Sequence, residues 1–97
     1  MNIKWNKTAI KQLFEIIQFI EEKQFEEYAK KFETEILNKI RLLPKSYLYQ
    51  AFDKYKINND GTFRAFEYDR YRISFRVKNS EIRILHIRHT SRLPRTY

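Results

Sequence analysis

Residues 71–89 read YRISFRVKNSEIRILHIRH, two β-rich runs separated by a short polar break. Apolar and polar side chains alternate strictly through the first run, which is the period of a strand with one buried face. Arg72 and Arg76 fall on the polar parity, so this predicted strand presents positive charge on its outer face. Asn79 and Ser80 are turn residues, and their position between the two runs predicts a β-hairpin.

The second run, residues 81–89, is apolar at both parities. Ile82 and Ile84 fall on one parity, whereas Leu85 and Ile87 fall on the other. A strand with apolar side chains on both faces is typical of the middle of a covered sheet. The pattern therefore predicts a central strand that is covered on both sides for part of its length.

The N-terminal half predicts a short strand followed by two amphipathic helices. Residues 2–5 carry two apolar side chains of one parity and are predicted to form an edge strand. Apolar residues then recur with helical spacing over residues 10–20 and again over residues 25–43, where Pro44 prevents continuation. The short connection at residues 23–24 favours an antiparallel helical hairpin over one continuous helix.

Residues 45–60 contain several aromatic side chains but no clear period. The run NNDG at residues 58–61 is the strongest turn signal in the chain, because Asn, Asp and Gly tolerate positive φ. A strand is predicted over residues 62–68, a turn then leads into the hairpin, and Pro94 ends any strand in the polar tail. The predicted fold is α+β in the order β-α-α-β-β-β, with the helical hairpin packed on one face of a small, mostly antiparallel sheet.

Two helices cover only one face of such a sheet. The other face is predicted to carry Arg72 and Arg76, with Arg64 or Arg83 beside them and the basic tail nearby. Residues 51–97 hold eleven of the twenty Lys and Arg residues but only five of the twelve acidic residues. An uncovered cationic face with aromatic neighbours is typical of a surface that binds RNA or an acidic protein. Ordinary solubility charge is the simpler alternative.

Composition excludes several classes of protein. The 97 residues are predicted to form a single domain, residues 1–97, with one modest core. The chain has no Cys and two His, so we expect neither a disulfide framework nor a metal site, and no cofactor. The N-terminus lacks the pattern of a signal peptide and no run of about 20 apolar residues occurs, so we expect a cytoplasmic protein without a membrane partner.

Several segments taken together resemble the RelE/ParE superfamily of bacterial toxins. They are Trp5 and Ala9 in the pattern W-x3-A, LLP at residues 42–44, FRAFEYDRYRISFRV at residues 63–77 and ILHIRHTSR at residues 84–92. The resemblance covers essentially the whole chain and agrees with the predicted order of elements. It implies the toxin of a type II toxin–antitoxin pair, held inactive by a cognate antitoxin protein.

The resemblance implies alternative targets. RelE-like members cleave mRNA in the ribosomal A site without metal, whereas ParE-like members bind DNA gyrase and do not cut RNA. The ending HTSRLP, residues 89–94, and the helical hairpin resemble the ParE-like branch. The polar residues that cleavage requires are also present, so the sequence favours a ribonuclease whose partners are the ribosome and mRNA. A degenerate toxin that only binds its antitoxin is a further alternative.

Cleavage requires a base for the attacking 2′-hydroxyl, an acid for the leaving oxygen, and cations that stabilise the extra negative charge. By resemblance, Arg72 contacts the scissile phosphate and His89 stands where some members place a catalytic histidine. Arg92 and Tyr97 resemble the C-terminal arginine and tyrosine of the RelE-like branch, whereas His86 is expected to be structural. The predicted contacts to RNA phosphate or to the antitoxin are the surrounding basic residues: Lys54, Lys56, Arg64, Arg76, Arg83, Arg88 and Arg95.

Overall fold

A computed structural model describes residues 1–23, 25–93 and 95–97. Gln24, in the predicted connection between the helices, and Pro94, the predicted end of any strand in the tail, lie outside the described residues. The strands are β1 (Asn2–Trp5), β2 (Ala51–Phe52), β3 (Phe63–Tyr68), β4 (Tyr71–Lys78) and β5 (Glu81–His89). The helices are α1 (Lys7–Glu22), α2 (Glu26–Arg41) and the short α3 (Leu43–Ser46), which is followed by a 3-10 turn at Tyr47–Tyr49.

The predicted α+β class and order of elements are confirmed, with α3 and β2 added to them. The five strands form one sheet in the order β1-β5-β4-β3-β2. β1 runs parallel to β5, and the other neighbouring pairs are antiparallel. Within the described ranges, no helix has the length and apolar character needed to cross a membrane.

The predicted hairpin between β4 and β5 is confirmed. Lys78 pairs with Glu81 across a two-residue turn in which Asn79 and Ser80 have φ of 54° and 58°. Two positive φ angles give the turn a twist that matches the twist of the flanking strands. The turn therefore sets the register of the two longest strands, β4 and β5.

The two long helices bury one face of the sheet. Phe32 of α2 lies at the centre, with its ring centroid 5.7 Å from that of Tyr68 and 5.2 Å from that of Tyr71. These contacts agree with the helical spacing of the apolar residues, because a helix that packs on a sheet needs one apolar stripe. The buried cluster contains Ala9, Ile17, Ile20, Ala29, Phe32, Ile36, Ile40, Leu43, Phe66, Ile73, Phe75, Ile82, Ile84 and Ile87.

The two apolar parities of β5 come from a β-bulge. Ser74 pairs with His86 but Phe75 pairs with Ile84, so Leu85 is an extra residue in the ladder. One extra residue exchanges the two faces of a strand from that point on. Ile87 therefore lies in the same buried cluster as Ile84, although their parities differ. The pattern was predicted to arise because both faces of the strand are covered. That explanation is wrong, because the bulge produces the pattern.

The segment without a sequence period forms short, irregular elements. α2 ends at Arg41, and Pro44 then lies in the first turn of α3, where its missing N–H is harmless. β2 pairs only two residues with β3, and its Phe52 is exposed. The predicted turn at residues 58–61 is confirmed, with Gly61 at a φ of 92°. This segment brings residue 53 to the edge of the open sheet face.

Candidate functional site

The sheet face opposite the helices carries polar side chains from β4 and β5. We call it the open face. The bulge in β5 determines its composition, because the strand places different parities on this face before and after Leu85. Cross-strand partners on the open face are Arg72 with Arg88, Ser74 with His86, and Arg76 with Arg83.

Of the two alternatives for a neighbour of Arg76, Arg83 lies on the open face and Arg64 does not. Arg64 pairs in the ladder with Phe75, a buried residue of the helix-facing side. Its guanidinium carbon lies 4.4 Å from the ring centroid of Phe52, and Nη1 donates to the carbonyl oxygen of Gln50 at 2.6 Å. Arg64 is thus directed toward the sheet edge near β2.

Asp53 is a buried carboxylate at the edge of the open face. Its side chain is fully buried, and Oδ1 accepts hydrogen bonds from Nη2 of Arg72 at 3.0 Å and from the main-chain N–H of Tyr55 at 3.1 Å. Oδ2 accepts the hydroxyl proton of Tyr97 at 2.5 Å. Burial alone would raise the pKa of Asp53, but these hydrogen bonds, with that from Tyr97 foremost, hold its pKa below the usual range. Asp53 is therefore an ionised, internally satisfied carboxylate.

Arg72 is held between two carboxylates. In addition to Asp53, its Nη1 lies 3.4 Å from Oε2 of Glu67, and its guanidinium carbon is 4.9 Å from the ring centroid of Tyr55. Only 17% of the Arg72 side chain is exposed. The open face is therefore neither bare nor free of negative charge at this position, contrary to the prediction. A phosphate that approaches Arg72 has to compete with a buried carboxylate.

The C-terminal segment is fastened onto the open face through Tyr97. Its main-chain N–H donates to the oxygen of Tyr55 at 3.0 Å, and its main-chain oxygen accepts from the N–H of Ile57 at 2.6 Å. The ring of Tyr97 makes edge contacts with Phe63 at 6.0 Å and with His86 at 4.8 Å between centroids. Burial, followed by the hydrogen bond to the Asp53 carboxylate, raises the pKa of Tyr97 well above its usual range.

The other two predicted catalytic residues lie elsewhere. His89 pairs with Tyr71 at the end of β5 on the helix-facing side, and the two rings make an edge contact at 5.0 Å. Nδ1 of His89 accepts a hydrogen bond from the main-chain N–H of Ser91 at 3.0 Å. Arg92 is exposed in the segment after β5. The structure thus joins Arg72 and Tyr97 through Asp53, whereas His89 and Arg92 lie outside this cluster and share only a pocket with Arg72.

Several predicted phosphate-binding cations make contacts within the chain. Lys56 donates to the main-chain oxygen of Tyr97 at 3.2 Å, whereas Nζ of Lys54 lies 5.2 Å from the ring centroid of Tyr55. Nε of Arg76 donates to the Thr62 hydroxyl at 2.9 Å, and its Nη2 lies 3.4 Å from the Asp60 carboxylate. Arg83 forms an ion pair of 3.1 Å with Glu81.

A small pocket opens where the ends of β4 and β5 meet the C-terminal segment, and we call it the basic pocket. It encloses about 100 Å³. Burial lowers the pKa of Arg88, and repulsion by Arg95 and Arg92 lowers it further. The pocket is lined by Tyr55, Glu67, Arg72, Ser74, His86, Arg88, His89, Thr90, Arg92, Leu93 and Arg95.

Sequence reasoning missed the role of Asp53, and it did not predict that His86, expected to be structural, lies on the open face. Asp53 stands in the aromatic segment without a period, and nothing near it in sequence identifies its partners at positions 72 and 97. His86 occupies the position beside Tyr97, and burial lowers its pKa, with Asp53 only partly offsetting that effect. The change of parity within residues 81–89 indicates a bulge, and a bulge predicts that His86 faces the same side as Ser74.

Comparison with known proteins identifies a family whose model matches almost the whole chain. A family model described as the ParE toxin of the type II toxin–antitoxin system parDE matches residues 3–94. The chain belongs to the ParE toxin family. The superfamily expected from sequence is thereby confirmed, and membership in this ParE family implies an antitoxin partner.

A solved structure titled as the chromosomal ParDE toxin–antitoxin system from P. aeruginosa is similar to this ParE-family chain, with a TM-score of 0.74. The two chains are 24% identical, over 94% of this chain and 97% of the other. This likeness shows a shared fold. No sequence among the curated proteins matches the chain.

Proposed function

We propose that this ParE-family toxin inhibits growth by binding DNA gyrase and does not cut RNA. Family membership supports the gyrase target, because ParE-like toxins bind gyrase. The main observation against RNA cleavage is the position of Asp53. Its carboxylate accepts hydrogen bonds from both the Arg72 guanidinium and the Tyr97 hydroxyl. The ribonuclease that the sequence favoured needs both groups to be available to RNA.

The chemistry of the open face is poorly suited to cleavage. A tyrosine whose pKa is raised by burial and by a neighbouring carboxylate resists ionisation. The tyrosinate form of Tyr97, which would act as the base, is therefore scarcely populated near neutral pH. The proton of the Tyr97 hydroxyl is engaged by Asp53 and is not free for a leaving oxygen. The ring of His89 packs against Tyr71, and its Nδ1 already accepts a hydrogen bond from the Ser91 main-chain N–H. Arg72 and Tyr97 are both bound to Asp53, so the phosphate-binding cation and the acid that cleavage needs are engaged within the chain.

A toxin that acts by binding needs surface that a protein partner buries. The helical hairpin offers such surface, because several large apolar side chains stay exposed on it. Phe14 of α1 is 67% exposed, a high value for a phenylalanine. The exposed set on the two long helices and their connection is Ile10, Phe14, Phe19, Phe25, Tyr28 and Leu37.

The test compares the two targets with one preparation of purified toxin. We expect inhibition of gyrase supercoiling, or accumulation of gyrase-cleaved DNA, and an intact message when toxin is added to programmed ribosomes. Cleavage of the message in the ribosomal A site, with supercoiling unaffected, would overturn the proposal in favour of the ribonuclease. Absence of both effects, with no growth arrest on induced expression, would identify a degenerate toxin and would equally refute it.

A further inference from the structure

The basic pocket brings like charges together on a scaffold that holds them in place. Arg88 extends from β5 directly opposite Arg72 of β4, and Arg92 and Arg95 come from the segment after β5. Tyr97 fastens that segment to the sheet through its hydroxyl and its main chain. Across the described parts of the chain, no carboxylate forms an ion pair with any of Arg88, Arg92 and Arg95. Arg92 and Arg95 are exposed, so water screens their mutual repulsion, and an anion that enters the pocket is attracted by all three charges.

Arg72 and Ser74 also line the pocket, but their polar atoms face inward. Nε of Arg72 and the hydroxyl of Ser74 are buried and have no hydrogen-bond partner, and Ser74 is only 1% exposed. The Ser74 hydroxyl lies near Asp53 and Tyr97 but makes no well-formed hydrogen bond with either. An anion in the pocket would therefore contact Arg88, Arg92 and Arg95, which have no carboxylate partner among the described residues.

The charge of the pocket indicates the class of its ligand. Four arginines, Arg72, Arg88, Arg92 and Arg95, line it together with one carboxylate, Glu67. Arginine is the side chain best suited to bind an oxyanion, because its planar fork matches the oxygens of phosphate. We propose that the basic pocket binds one backbone phosphate of duplex DNA, a contact that the toxin makes with the DNA held by gyrase. This inference rests on the proposed function and names a second component of the target.

The aromatic rings around the pocket favour duplex DNA over single-stranded RNA. Single-stranded RNA is recognised largely by stacking its unpaired bases on exposed aromatic rings. Here the rings of Tyr97 and His86 contact one another at 4.8 Å, and the ring of Tyr55 lies beside the Arg72 guanidinium. The ring of His89, which also lines the pocket, packs against Tyr71. Each aromatic ring that lines the pocket within the described ranges is thus already in contact with another side chain, and such a cationic pocket suits contact with a phosphate backbone, which positions a protein without reading sequence.

The first experiment measures binding of the purified toxin to a short fluorescent duplex by anisotropy, at several salt concentrations. Arg88→Gln is expected to weaken binding roughly tenfold for any sequence and to lower the salt slope by about one. Arg88→Lys keeps the charge but loses the forked donor, so its affinity for the duplex is expected to lie between those of Arg88→Gln and the unmodified chain. Arg41→Gln is the matched control, because Arg41 ends α2 and bonds to Asn38 away from the open face. Its affinity and slope should match those of the unmodified chain.

Thermal unfolding separates a binding role from a structural one. Because Arg88 is repelled by its neighbours, Arg88→Gln should unfold no earlier than the unmodified chain. Equal affinity and slope for Arg88→Gln and Arg41→Gln would overturn the phosphate site. Tighter binding to a single-stranded RNA of equal length than to the duplex would overturn the choice of ligand.

Binding to DNA-free gyrase, measured in parallel, tests the proposed function separately. Arg88→Gln should retain that binding and lose affinity only when DNA is present. If the toxin does not bind DNA-free gyrase but still binds duplex in an Arg88-dependent way, the gyrase proposal fails and the phosphate site stands. If Arg88→Gln weakens gyrase binding equally with and without DNA, the phosphate site is refuted.

Discussion

The hydroxyl of Tyr97 donates a hydrogen bond of 2.5 Å to Oδ2 of Asp53, a residue 44 positions earlier in the chain. The other oxygen of the same carboxylate accepts from Arg72 of β4. Asp53 therefore joins the loop after β2, the middle of the sheet and the C-terminal segment. Because the segment also carries Arg92 and Arg95, Asp53 helps to set the geometry of the basic pocket, together with the main-chain hydrogen bonds of Tyr97.

Asp53→Asn is expected to destabilise the fold by about 3 kcal/mol. The substitution keeps the shape of the side chain but leaves the largely buried Arg72 charge without its nearest counter-charge. Unfolding in urea, followed by circular dichroism, measures the free energy of unfolding.

Glu67→Gln is the matched control for Asp53→Asn. Glu67 lies 3.4 Å from the same guanidinium, but its side chain is 58% exposed, so its loss should cost less than about 1 kcal/mol. Equal losses in the two variants would show that burial of Asp53 does not determine the strength of the pair. The double variant Asp53→Asn with Arg72→Met should recover part of the loss, because no unpaired charge remains.

The contribution of Asp53 to stability should depend on pH in the acid range. Its pKa in the folded protein lies below the ordinary value of 3.8, mainly because of the hydrogen bonds from Tyr97 and Arg72. The unfolded chain therefore binds the proton first, and stability falls as pH falls through the folded pKa. The difference in unfolding free energy between the unmodified chain and Asp53→Asn should be constant well above pH 4 and should shrink below it. A constant difference down to the acid limit would contradict a lowered pKa.

Tyr97→Phe should show the opposite dependence, in the alkaline range. Burial and Asp53 raise the pKa of the Tyr97 hydroxyl above its ordinary value of 10. Its stabilising effect is present below pH 10 and is lost as pH rises further, because the unfolded chain gives up the proton first. At neutral pH the variant should lose about 2 kcal/mol of unfolding free energy, and the difference should shrink above pH 10. Tyr49→Phe, at a side chain 87% exposed, is the control and should change stability little at neutral pH.

The parts of this molecule that sequence predicts are those governed by local rules. Strict alternation in residues 71–77 and two turn residues at 79 and 80 are sufficient for the hairpin, and the helical spacing of apolar residues is sufficient for α1 and α2. The cluster around Asp53 follows no local rule, because its three side chains come from positions 53, 72 and 97. Alternation predicts the correct strand face for Arg72. Its partner, Asp53, lies in the loop after the two-residue strand β2, where the sequence shows no periodicity.

The bulge in β5 leads to a prediction about chain length. Removal of Leu85 leaves the pairs of Phe75 with Ile84 and Ser74 with His86 adjacent, and the remaining residues up to Arg88, EIRIHIR, alternate strictly. This deletion should therefore preserve the fold and cost only about 1–2 kcal/mol, the loss of one half-buried side chain.

Removal of Ser74, the partner of His86 across the ladder, is the matched control for the deletion of Leu85. β4 has no compensating extra residue there, so deletion moves either Phe75 and Val77 or Tyr71 and Ile73 to the open face and should abolish folding. Circular dichroism and thermal unfolding distinguish the two deletions. If loss of Leu85 is as damaging as loss of Ser74, the extra residue does not explain how β5 buries Ile84 and Ile87 together.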